Sequence, residues 1–150
     1  DSWLQWWHSH HPGITVRSWL APTGTIVQSL KRGQVTPKRA VMHGPSHNPY
    51  TLRKLWFPFH LLDDKWAAIC ADLDSYQLQV YGDVPPEDIH NTGLWMDAWT
   101  TARTPTRPRR QWVTRVVNLT WVLGDDALQF CAAMATWMCD QSFAPILAEH

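Results

Sequence analysis

The chain has 150 residues, 45% hydrophobic and 17% charged, with 13 basic and 13 acidic side chains and no net charge. That length buries one sizeable core, roughly two thirds of the unfolded surface, and the composition is that of a globule, not of a disordered tail. Balanced charge gives no bulk attraction for nucleic acid or an anionic membrane, and no run reaches the ~18–20 apolar residues of a transmembrane span. The opening DSWLQWWHSHH lacks the charged start and apolar centre of a signal peptide, and its first residue is Asp, which predicts one domain over 1–150 cut from a longer protein.

In chain order, Ser2–His8 reads as a short, Trp-rich helix and Gly13–Trp19 as a strand candidate. Thr25–Lys31 has helical spacing, with Ile26, Val27 and Leu30 on one side. From Lys31 to Tyr50 the chain carries Gly33, Pro37, Gly44, Pro45 and Pro49 among few apolar residues and reads as a long surface loop. The stretch Leu55–Asp83 contains a hairpin. Its first strand is Ala67–Leu73, its turn is Asp74–Ser75, and its second strand is Gln77–Tyr81, with Leu78 and Val80 on one face and Gln77, Gln79 and Tyr81 on the other. After the Val84-Pro85-Pro86 turn a helix is predicted over Glu87–Ala102, with Leu94, Trp95, Met96, Ala98 and Trp99 as its apolar side. TPTRPRR at Thr104–Arg110 is a proline-broken basic loop, Trp112–Val122 a strand, and Asp126–Met138 a helix. The class is α+β.

Leu55–Asp83, read with Gly124–Cys131 (GDDALQFC), resembles the core of the cysteine peptidases that process SUMO and other ubiquitin-like proteins. That family implies a papain-like, adenain-like fold: a central mixed or antiparallel sheet whose hairpin packs against helices. It carries a His-Trp pair at the start of the hairpin, an Asp at its end, and a Gln and an Asp-Cys-Gly before a helix. Here Trp66 matches the Trp, while Lys65 stands for the His and Gly82 for the Asp, with Asp83 one residue late. Asp126 matches the Asp before the nucleophile, Ala127 stands for the Cys, and Trp121 for the Gln of the oxyanion hole. Every catalytic position is substituted.

Those substitutions remove the chemistry. A cysteine peptidase needs a thiolate, made at neutral pH by an adjacent imidazole and a helix N-terminus. Ala127 has no nucleophile, and losing an oxyanion donor costs about 3–4 kcal/mol of transition-state stabilisation. A shifted register makes Cys131 the fallback nucleophile, but a helix begun by Asp125-Asp126 would carry Cys131 inside it, away from the positive end, as a core residue. If the groove survives, Trp66, Trp121 and Asp126 would bind an extended peptide or the tail of a ubiquitin-like protein without cutting it. No cofactor is implied.

Four further features have simpler readings. Cys70, Cys131 and Cys139 form an odd set without CxxC spacing, which suits a reducing intracellular compartment, nuclear or cytoplasmic. His8, His10 and His11 have the density of a metal site but no Cys or carboxylate at fixed spacing, so no metal is expected. Lys31, Arg32, Lys38, Arg39, Arg103, Arg107, Arg109 and Arg110 read as solvated loop charge. Eleven tryptophans are explained mainly by core packing. Trp3, Trp6 and Trp7 cannot all face one way on a helix, however, so at least one is exposed or covers a neighbour. Three function classes follow: a non-catalytic peptidase-like binding module, a Trp-rich carbohydrate- or single-stranded-nucleic-acid-binding module, and an active peptidase using Cys131.

Overall fold

The turn at 72–76 organises the middle of the chain. Asp72 Oδ1 accepts from the backbone N–H of Asp74 (2.8 Å) and of Ser75 (3.3 Å), and Tyr76 N–H donates to Asp72 O at 2.9 Å. An aspartate of this kind bends its own backbone by mimicking a turn. Tyr76 closes it with φ of 56°, a left-handed conformation that costs a non-glycine residue about 1–2 kcal/mol. Its ring is held against Trp112 at 4.9 Å, which offsets that cost. The turn folds β3 (Trp66–Asp72) back on β4 (Gln77–Tyr81) in antiparallel register, from Asp72↔Gln77 to Ala68↔Tyr81. The predicted hairpin is present within a residue at each end.

Around it the computed structural model builds a five-stranded mixed sheet, described for residues 2–12, 17–21, 26–36, 44–45, 52–61, 65–103, 111–117 and 130–138. The strand order is β1-β2-β3-β4-β5, where β1 is Ser18–Leu20, β2 is Lys54–His60 and β5 is Val113–Val116. The outer pairs, β1 with β2 and β4 with β5, are parallel. β2 pairs with β3 along its whole length, from Lys54↔Asp72 to His60↔Trp66. This strand is absent from the sequence reading, which started the hairpin at Ala67. Pro58 sits in its middle, and proline inside a run argues against a central strand. It is tolerated because β1 pairs only with Lys54–Trp56, so the side of β2 that would need the missing N–H faces no described strand at Pro58.

Both faces of the central strands β2, β3 and β4 are covered, which is why they read as nearly continuous apolar runs, whereas β5 is exposed along its length. On one face Leu55, Phe57, Phe59, Ala67, Ile69, Ala71, Leu78 and Val80 form a core with Ile26, Val27 and Leu30 and with Trp95, Met96 and Trp99 of the long helix Pro86–Arg103. On the other, Trp56, Ala68, Cys70 and Tyr81 pack with Leu4 of α1 (Ser2–Ser9) and with Phe130, Cys131, Met134 and Trp137 of the helical stretch 130–138. We number the short helix Gln28–Lys31 α2, Pro86–Arg103 α3 and 130–138 α4. The amide of Asn91 on α3 donates to Leu30 O on α2 at 2.8 Å, tying the two together. The predicted apolar side of α3 needs one correction. Leu94 is 43% exposed, because Trp95 and Trp99, one turn apart, take the sheet-facing positions and rotate Leu94 outward. No described helix is long and apolar enough to cross a membrane.

Several predicted segments coincide only in part with described residues. The strand candidate Gly13–Trp19 overlaps β1, and Trp112–Val122 contains β5. Most of the Lys31–Tyr50 loop and all of Thr104–Arg110 lie outside the described residues.

Asp88, in the first turn of α3, is buried, and desolvation pushes its carboxyl pKa up from 3.8, opposed by Lys31 and reinforced by Glu87. The folded state therefore holds that proton more tightly than the unfolded chain. Ionised Asp88 costs stability at neutral pH, and the cost disappears as pH falls through the folded-state pKa. Asp88→Asn is expected to melt higher than the parent at pH 7, the two converging below about pH 4, as thermal scans across pH would show.

Candidate functional site at the hairpin end

The antiparallel register carries the start of β3 and the end of β4 to one end of the sheet, so Lys65 and Trp66 lie at the same end as Gly82 and Asp83. Lys65 and Asp83 are exposed, Trp66 and Gly82 half-buried. The β2–β3 connection closes there too, with Leu61 N–H donating to Lys65 O at 2.7 Å. Gly82 has φ of 95°, a backbone conformation that favours glycine, so this position is shaped for a residue without a side chain.

A stack of rings crosses this end. His60, the cross-strand partner of Trp66, lies nearly parallel to it at 4.5 Å and 14°. Phe130 of α4 lies parallel to the same indole at 5.1 Å and 21°. Seven residues along the helix, Trp137 stacks on Tyr81 at the end of β4, 4.5 Å away and 29° off parallel. Phe130 and Trp137, two turns apart on one helical face, thereby lay α4 across the first residues of β3 and the last of β4. His60 also accepts, through its backbone carbonyl, a hydrogen bond from Lys31 Nζ, which links α2 to the same corner.

The sequence reading placed Lys65, Trp66, Gly82 and Asp83 at one site; all four flank the last paired positions, Ala68↔Tyr81, at the same end of the sheet. Trp121, Asp126 and Ala127 lie outside the described residues. Phe130 was not singled out, although it follows Ala127 by about one helical turn, the spacing that puts two residues on one face. Cys131 is 5% exposed within the core between sheet and helix, alongside the fully buried Cys70. Burial is the dominant influence on the Cys70 thiol and pushes its pKa up, against Lys54 and with Asp72. Neither buried thiol is presented at the surface as a nucleophile must be.

The other candidate clusters resolve in different ways. Among the described residues no group of three His, Cys, Asp or Glu side chains is placed to hold a metal ion. Arg103 of the basic set turns inward and donates to Pro45 O at 2.9 Å. Of the tryptophans, Trp56, Trp95, Trp99 and Trp137 are buried and Trp7, Trp19, Trp66 and Trp112 half-buried, whereas Trp3 and Trp6 are exposed. The domain is thus an α+β unit with a mixed sheet layered between helices, bearing a charged, aromatic corner at its hairpin end. No protein-family model matches the chain, and no curated protein matches it.

Proposed function

We propose that this domain is a non-catalytic module, similar in plan to the cysteine peptidases of ubiquitin-like proteins, that binds an extended peptide or a ubiquitin-like protein at its hairpin end. The observation that carries the reading is the meeting of α4 with the hairpin through Trp66 and Phe130, beside Lys65, Gly82 and Asp83. The resemblance implies that relation between hairpin and helix; the one imidazole in the stack is His60, and none of the residues named carries a thiol or hydroxyl for it to activate. The rings of His60 and Phe130 already engage Trp66, so a bound peptide would be held by the edges of the stack, by main-chain groups and by the opposite charges of Lys65 and Asp83. A reducing intracellular setting, nuclear or cytoplasmic, belongs to the same proposal.

The test is a binding titration against ubiquitin and SUMO, with and without a C-terminal electrophile. Reversible binding is expected, with no covalent adduct. Lys65→Glu and Asp83→Lys, both at exposed positions, should each weaken it by about tenfold while leaving Tm unchanged. An adduct on any cysteine would make the domain an enzyme, and no binding to either protein would remove the proposal. A second reading, a Trp-rich ligand-binding module, is favoured by the exposure of Trp3 and Trp6 on α1.

A further inference from the structure

At 100° per residue, α1 (SWLQWWHS) divides its side chains cleanly. Leu4 and His8 turn inward, at 1% and 8% exposure, while Trp3 and Trp6 stay 40% and 54% exposed on the far side. His10 follows Trp6 by one turn and extends the same stripe. Indoles are the most costly side chains to leave in water, and elsewhere among the described residues the tryptophans are buried or half-buried.

The Trp6 end of this stripe is held in place. The His10 ring stacks on Trp6 with centroids 4.5 Å apart and 30° between planes. Its Nδ1 lies 2.7 Å from Trp6 O, and the Ser9 hydroxyl donates to the same carbonyl at 2.8 Å. In the neutral imidazole an Nδ1–H donated to that carbonyl leaves Nε2 with a lone pair as the remaining acceptor. A parallel pair one residue on, Trp7 with His11 at 4.2 Å and 26°, clamps the half-buried side of the same helix end. Rings ordered before a ligand arrives lose little conformational entropy when it binds.

We propose that the outward face of α1 binds a neutral oligosaccharide, with Trp3 and Trp6 stacking on the C–H faces of successive sugar units and His10 and Ser9 meeting their hydroxyl rim. The inference deepens the Trp-rich reading and is independent of peptide binding at the hairpin end. Three features select the ligand. The helix carries no Asp, Glu, Lys or Arg, so it lacks the cations that supply most of the grip on nucleic-acid phosphates. Its exposed apolar groups are flat rings flanked by a hydroxyl and an imidazole, which match the C–H face and the hydroxyl rim of a sugar ring. Trp3 and Trp6 are offset by about 4.5 Å along the axis, close to the length of one pyranose unit.

Calorimetric titration of the intact chain with cellohexaose, chitohexaose and mannohexaose tests this, beside a short oligothymidylate and phosphatidylcholine vesicles. At least one hexasaccharide should bind. Trp3→Ala and Trp6→Ala should each weaken it by about tenfold, the scale of one lost stacking partner, and His10→Ala by a few fold. Leu94→Ala, an exposed apolar control on α3, should change nothing. Absence of binding to all three sugars, binding that survives both Trp replacements, or binding confined to the oligonucleotide or the vesicles would each overturn the proposal. Lys65→Glu should leave sugar binding intact, and Trp6→Ala should leave ubiquitin or SUMO binding intact, so failure at one site is read separately from failure at the other.

Discussion

Trp95→Ala is expected to lower the stability of the domain by about 3–5 kcal/mol, a large part of the ~5–15 kcal/mol that holds a typical domain together. Trp95 is 1% exposed and sits at the junction of one core: its ring lies 6.1 Å from Trp19 and 3° off parallel, edge-on to Phe57 at 5.5 Å, and 6.4 Å from Trp99. Removing it opens a cavity where the α3 helix meets β1 and β2, and rings packed on several sides cannot collapse to fill it. Leu94→Ala, one residue earlier and facing solvent, should cost no more than about 0.5 kcal/mol. Urea unfolding would show the contrast as a large drop in midpoint for the first variant and almost none for the second, with similar slopes. Comparable losses for both would mean that α3 presents a different face to the sheet.

Alkylation of Cys70 and Cys131 in the folded protein should run at least about a hundredfold slower than that of an ordinary thiol. Cys70 is fully buried with its thiol pKa pushed up by desolvation, and Cys131 is 5% exposed in the same core. A thiol placed there reacts only when the structure opens, and an opening that costs about 3 kcal/mol already slows labelling by about that factor. Peptide mapping after iodoacetamide treatment reads each cysteine separately, and denaturant should bring both to the free-thiol rate. Fast labelling of Cys131 in native protein at neutral pH would reveal an accessible thiolate, restore it as a nucleophile, and end the non-catalytic reading of the hairpin end.

How far the residues alone led depends on how local the determining physics was. The β3–β4 hairpin was legible because Asp72–Ser75 bends its own backbone and the strands alternate around it. The α3 helix was legible from spacing, and so were the buried positions Ile26, Val27 and Leu30. β2 was not, since Pro58 is a local argument against a strand and only the short reach of β1 makes it acceptable. Leu94 fitted the apolar stripe of α3 but lost its place to two larger rings. At the candidate site, Lys65, Trp66, Gly82 and Asp83 were found by motif position. The contribution of Phe130 was hidden, because a stacking partner 64 positions away leaves no trace in spacing.

Side-chain identity and short-range periodicity were enough to set the α+β class and the hairpin with its two faces. Only the tertiary packing settled which of the described indoles are core and which face water, that Cys70 and Cys131 are buried, and that His60, Trp66 and Phe130 form one stack. Those outcomes depend on which elements compete for the two faces of the sheet, a competition settled by the packing of distant residues.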